Sequence, residues 1–166
     1  MPQVCSFPPV AASDARVLIL GSMPGEASLR AGQYYAHERN AFWRIMGDLI
    51  GAGPALPYLA RLGRLQAAGI ALWDVIADCR RSGSLDADIV KESVRVNHFG
   101  GFFAAHSGID RVYFNGGAAE AHFRRHVLPG LDGRSIRMLR LPSTSPAHAA
   151  RSYAEKLAAW SVIVAE

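Results

Sequence analysis

Residues 17–20 are four aliphatic side chains in a row, and they run directly into Gly21-Ser22-Met23-Pro24-Gly25. A strand that is apolar at every position has no face to offer solvent. It belongs in a parallel sheet covered by helices on both sides. The strand is read over 16–21, and three further strands are read at 70–75, 111–115 and 136–142. The stretches between them carry helical periodicity. The expected fold is therefore α/β: a three-layer α/β/α sandwich on a central, mainly parallel four-stranded sheet.

Helix signals support that order. Phe42, Ile45, Met46, Leu49 and Ile50 recur at helical spacing, Asn40 is placed to cap that helix, and Gly51 ends it. A short helix is read over 59–68. Another opens at Asn97, and one follows the Gly116-Gly117 turn. Ser152 and Glu155 have the spacing of a capping box for a last helix, with Tyr153, Leu157, Trp160 and Val164 on one face. Residues 79–86 ("CRRSGSLD") read as a polar loop. Residues 1–15, rich in proline, read as an extended arm, and 16–166 as one domain.

Sheets of this kind bind ligands outside the carboxyl ends of their strands. Here those ends read "GSMPG", "WDV", "FNGG" and "LPSTSPAHA", so small and polar residues collect along one edge. A dinucleotide fingerprint is excluded, because "GSMPGEAS" lacks the G-x-G-x-x-G spacing. A P-loop is excluded too, since no lysine precedes Lys91.

Other residues offer different chemistry. Tyr34 and Tyr35 are adjacent aromatics in a glycine-flanked loop, suited to stacking on a flat ring. Asn40 could cap its helix or hold a water. Asp74, at a strand end, could meet a base N–H or cap a helix. His122 and His126 lie four apart but lack the glutamate of an H-E-x-x-H pattern, and read as surface residues. His37 and His148 fall in loops of the same edge.

The net charge is +4 and, apart from Lys91 and Lys156, all of the basic residues are arginines, which suit bidentate phosphate contact. Arg30, Arg39, Arg80, Arg81 and Arg151 lie in or near the edge loops. Cys5 and Cys79 are too few for a disulfide framework or a zinc site. The N-terminus has no signal layout, which leads to the expectation of a cytoplasmic protein.

Taken together, "LILGSMPGEASLRAGQYYAHERNAFWRIM", "IALWDV", "RVYFNGGAA" and "LRLPSTSPA" resemble the uracil-DNA glycosylase superfamily, and most of all its hypoxanthine-DNA glycosylase branch. The likeness runs from Arg16 to Trp160. It implies that Gly21, Ser22, Met23, Pro24 and Gly25 lie beside the sugar and the scissile bond, and that Tyr35 stacks on a flipped base. Asp74 takes the position where relatives often carry a base-reading asparagine, and Asn115 completes the pocket. Pro142, Ser143, Thr144, Ser145, Pro146 and His148 form a loop that meets DNA, with Arg39 and Arg151 nearby.

Two positions depart from the superfamily pattern. Met23 stands where most relatives have Asp or Asn, and Leu141 where uracil-specific relatives have histidine. In the hypoxanthine branch the catalytic residue corresponds to Asn40. The resemblance thus implies a monofunctional DNA glycosylase that hydrolyses the N-glycosidic bond of deoxyinosine. It would act as a monomer on double-stranded DNA, with no metal, no cofactor and no membrane. The alternatives are a uracil or thymine mismatch glycosylase, a DNA-binding module without catalysis, and a small-molecule nucleosidase.

Overall fold

The computed structural model describes residues 2–131 and 133–165. The first half of the chain forms β1 (Gln3–Cys5), β2 (Val17–Gly21), α1 (Glu26–Ala31), α2 (Phe42–Ile50), α3 (Tyr58–Ala67), β3 (Ile70–Asp74) and β4 (Ile76–Arg80). The second half forms β5 (Arg95–Val96), α4 (Phe99–Ala105), β6 (Arg111–Asn115), α5 (Gly117–His126), β7 (Arg137–Leu141) and α6 (Tyr153–Trp160).

The main sheet has the order β3-β2-β6-β7, and every neighbouring pair is parallel. Alternation along each strand sorts the side chains between two cores. Leu18, Leu20, Val112 and Phe114 face α4 and α5, where they meet Phe99, Phe102, Phe103 and Phe123. Val17, Ile19, Leu72 and Tyr113 face the opposite way, toward Phe42, Ile45, Met46, Leu65 and Trp160 of α2, α3 and α6. Both faces are covered, which is why β2 has no polar residue. The sandwich expected from the sequence is the one observed.

After β3 the chain crosses to the far side of β2, so the strand order reverses between β2 and β6. Such a reversal opens a crevice at the carboxyl edge. Gly21, Asp74 and Asn115 end the three strands that border it.

The structure differs from the sequence reading in several places. Cys79 and Arg80, read as the start of a loop, belong instead to β4, which pairs antiparallel with β1 and β5 in a second, three-stranded sheet. Its small core holds Met23, Ile76, Cys79 and Ile89. The isolated sequence of β4 mixes Ala, Asp, Cys and Arg, so its strand character comes from pairing partners remote along the chain. The extended N-terminal segment is itself tied down, through β1 and through the bridge from Val10 to Leu72.

Asn40 does not occupy the N-cap position of α2, which is Ala41; its Oδ1 accepts from Phe42 N at 3.0 Å instead. His98, rather than Asn97, caps α4. Val164 leaves the α6 face, because the helix ends at Trp160 and a 3-10 turn follows, with Val164 exposed. The Ser152–Glu155 capping box forms with both of its hydrogen bonds.

Candidate active site at the carboxyl edge of the sheet

A cavity of about 430 Å³ opens at the strand-order reversal. The loop at 21–25, Tyr35, Asn40, Asp74, Asn115 and the run 143–146 all line it. Residues far apart in sequence and singled out on separate grounds therefore share one pocket. Pro142, His148, Arg39 and Arg151 lie outside the lining. Both arginines are exposed. The Pro142 carbonyl accepts from Trp160 Nε1 at 2.9 Å. The His148 carbonyl accepts from Lys156 Nζ at 2.7 Å. These last two bonds anchor the two ends of the loop whose middle lines the cavity.

Asp74 forms the floor. Its residue is 3% exposed, and Oδ2 has no hydrogen-bond partner among the described residues. Burial is the largest cause that pushes its pKa up to about 7; the Asp86 charge adds to the shift and Arg81 opposes it. The strand end is fixed by Asn97 Nδ2, which donates to the Asp74 carbonyl at 2.8 Å.

Gly21 is required here by the protein's own groups. A Cβ on it would stand 2.5 Å from Asp74 Oδ1 and 2.8 Å from the Tyr35 hydroxyl. The missing side chain lets those two side chains converge.

The two tyrosines have separate tasks. Tyr34 is 3% exposed; its hydroxyl donates to the Pro8 carbonyl, and its own carbonyl accepts from Trp43 Nε1. Tyr35 takes φ 54°, which no other described non-glycine residue has in this range. Both tyrosines line the pocket, and their rings lie 6.4 Å apart. One face of its ring stacks on Phe42 at 4.2 Å, with an interplanar angle of 26°. The Tyr35 hydroxyl is buried and has no partner at hydrogen-bond geometry among the described residues. Its pKa is raised, first by burial and then by the Asp74 charge, while the Asn115 amide acts the other way.

Asn40 is partly exposed at the pocket wall. The bond from Phe42 N fixes its side chain, and Asn40 N itself donates to the His37 carbonyl at 2.9 Å. The Nδ2 group and the second lone pair of Oδ1 are left for a ligand. Asn40 thus bonds the first N–H of α2 from one residue before the N-cap position and keeps polar capacity toward the pocket.

Met23 and Leu141 are both packed into cores, 8% and 3% exposed, and neither side chain carries a hydrogen-bonding group of the kind that Asp, Asn or His would supply. Arg81 corrects an expectation. It is 1% exposed and cannot meet phosphate. Its Nε donates to the Gly83 carbonyl at 2.9 Å and its Nη2 to the Pro24 carbonyl at 2.5 Å, so it props the first site loop from behind. Arg30 does line the pocket, and Arg80 is exposed on β4.

The sequence reading missed one wall altogether. Ser84, Leu85 and Asp86 line the cavity from the segment between β4 and β5. Ser84 Oγ accepts from Glu26 N at 2.8 Å, and Asp86 Oδ1 accepts from Ser22 Oγ at 2.6 Å. In sequence this is an ordinary Ser/Gly/Asp turn, and only the second sheet carries it to the pocket. Among the described residues no group of three or more His, Cys, Asp or Glu side chains could hold a metal ion.

The fold and pocket define a three-layer α/β/α domain with its ligand site at the strand-order reversal. A family model described as the uracil DNA glycosylase superfamily matches residues 8–164. The chain belongs to that superfamily. It is 40% identical over 111 residues to a hypoxanthine DNA glycosylase of Methanosarcina barkeri (strain Fusaro / DSM 804), covering 66% of this chain and 69% of that protein. It is 35% identical over 143 residues to a hypoxanthine DNA glycosylase of Methanosarcina acetivorans, covering 86% of each. A solution NMR structure from Methanosarcina acetivorans, described as a candidate uracil DNA glycosylase, superposes with a TM-score of 0.78. That pair shares 32% identity, over 98% of this chain and 99% of the other.

Proposed function

We propose that this protein is a DNA glycosylase that extrudes a deaminated base, foremost hypoxanthine in deoxyinosine, and hydrolyses its N-glycosidic bond. The observation that carries this reading is the convergence of Asn40, Tyr35 and Asp74 on one cavity at the carboxyl edge. Superfamily membership and two relatives named for hypoxanthine support it.

Each residue has a physical task in this reading. A base within a duplex is out of reach and must be flipped, and a weakened pair lowers that cost. Tyr35, backed by Phe42, gives the flipped base a rigid ring to stack on. Asp74 meets its polar edge. Hypoxanthine carries N1–H, which the carboxylate accepts, whereas adenine carries a bare acceptor at N1, which it repels. Guanine shares the N1–H, but its stronger pair with cytosine makes it costlier to extrude.

Asn40 orients a water toward C1′. As the C1′–N9 bond breaks, its electron pair leaves with the base, the water oxygen bonds to C1′, and one water proton passes to the base anion or to solvent. An amide cannot take the proton of that water, so its part is orientation.

Uracil is the second reading, because its N3–H presents the same donor to Asp74, and the NMR neighbour carries that description. The test is a cleavage assay on duplexes with one deoxyinosine, one deoxyuridine or no lesion, followed by alkali, with Asn40→Ala alongside. Strand breaks mainly at deoxyinosine, lost in the variant, are expected. Breaks mainly at deoxyuridine would favour the second reading. No break on any duplex would leave a DNA-binding role. An Asp74→Asn variant with unchanged base preference would remove Asp74 from the recognition scheme.

A further inference from the structure

Cleaving an N-glycosidic bond places positive charge on the deoxyribose and needs a group to take a proton from the attacking water. The first site loop lacks both functions, because Met23 is a thioether packed against Ile76, Cys79 and Ile89. Asn40 is neutral. Asp74 is buried on the floor, where a negative charge would oppose a departing base anion.

Asp86 answers the deficit. Three acidic residues line the cavity: Glu26, Asp74 and Asp86. Glu26, at the start of α1, and Asp86 are both exposed. Asp86 is bonded directly to the first site loop, through Ser22 Oγ at 2.6 Å. Ser84, two residues before it, bonds Glu26 N just past the other end of the loop, and Arg81 holds the Pro24 carbonyl. The segment is thus fastened to the loop at three points, and its carboxylate is held against Ser22. Its field reaches the pocket floor, where it helps to raise the Asp74 pKa.

We propose that Asp86 is a catalytic carboxylate of this enzyme: held by Ser22, it stabilises the positive charge on the sugar and accepts a proton from the attacking water. The C1′–N9 electron pair departs with the base, the water oxygen bonds to C1′, and the proton taken by Asp86 passes to the base anion or to solvent. This assignment rests on the glycosylase reading above. It places on a different segment the polar function that Met23 cannot supply.

Asp86→Asn isolates the charge, because an amide oxygen can still accept from Ser22 Oγ. Single-turnover excision of deoxyinosine should fall by about 100-fold or more. Affinity for a duplex with a tetrahydrofuran abasic analogue should stay equal or tighten, since a negative charge has left a DNA-facing pocket. Ser22→Ala, which keeps the charge and loses only its tether, should be less impaired than Asp86→Asn.

Asp86→Asn within about threefold of wild type in the single-turnover step would overturn the assignment. So would equal losses in Asp86→Asn and Ser22→Ala with weakened abasic-duplex binding, which would make Asp86 a structural pin. If Asp86→Asn fails to fold, Asp86→Glu serves instead: retained excision supports a carboxylate, and loss to the level of Asp86→Ala speaks against it. Wild-type protein inert on both deoxyinosine and deoxyuridine would bring down the glycosylase reading itself, and this inference with it.

Discussion

Asn115 and Thr144 hold each other by two hydrogen bonds. Asn115 Nδ2 donates to Thr144 Oγ1, and Thr144 N donates to Asn115 Oδ1, both at 2.9 Å. Both ends of the amide are engaged, so the residue that ends β6 pins the second site loop. The Thr144 carbonyl in turn accepts from Ala41 N at 3.0 Å, next to Asn40. One strand end thus sets both the loop and the start of α2. Asn115→Ala should lower stability by about 1–3 kcal/mol, because it leaves buried groups of Thr144 unpaired. Excision should slow as well, because the loop that Asn115 holds lines the pocket. Denaturant midpoints and single-turnover rates on a deoxyinosine duplex check this.

Asp74 makes stability depend on pH in a stated direction. Its folded pKa, about 7, lies above the ordinary 3.8, so the native state holds this proton more tightly than the unfolded chain. The stability from this group is complete at acid pH and is lost as pH rises from about 4 through about 7. Asp74→Asn should therefore be more stable than wild type at pH 8, by roughly 2–4 kcal/mol, and should lose that advantage toward pH 4. Urea midpoints at pH 5 and pH 8 provide the comparison. A constant difference across that range would contradict it.

Tyr35 combines two separable contributions. Its hydroxyl is buried, has no partner at hydrogen-bond geometry among the described residues and interacts with the Asn115 amide, so Tyr35→Phe should change stability by no more than about 1 kcal/mol. In the proposed function its ring is the stacking surface, and Tyr35→Ala should weaken capture of the flipped base by about 1–3 kcal/mol. Binding to a duplex carrying an uncleavable deoxyinosine analogue separates the two, with thermal midpoints recorded in parallel.

Arg81 and Arg39 should behave in opposite ways. Arg81 is interior and bonded to two carbonyls, so Arg81→Ala should cost roughly 2–4 kcal/mol of stability. It should leave the salt dependence of DNA affinity unchanged. Arg39 is exposed, and Arg39→Ala should leave stability alone and reduce the slope of log affinity against log salt by about 1. Fluorescence anisotropy between low and moderate salt measures both slopes.

The sequence alone determined the main sheet, its parallel sense and the edge that carries the site. Those follow from local patterns: an unbroken apolar run such as Val17–Leu20 has no stable place except between two helical layers. The Ser152–Glu155 capping box is equally local, and it was legible for the same reason. The resemblance in the edge loops pointed to Asn40, Tyr35 and Asp74, and the cavity brings all three together.

Only the tertiary structure decided the rest. Residues 76–80 are a strand because β1 and β5 pair with them, and neither partner is visible from the segment itself. Arg81 reads as a surface cation until the carbonyls of Gly83 and Pro24 close around it. Asp86 reads as one more loop acid until the second sheet carries it to Ser22. In each case the deciding interaction joins residues that local pattern cannot relate, and the burial or bond it creates belongs to the assembled pocket.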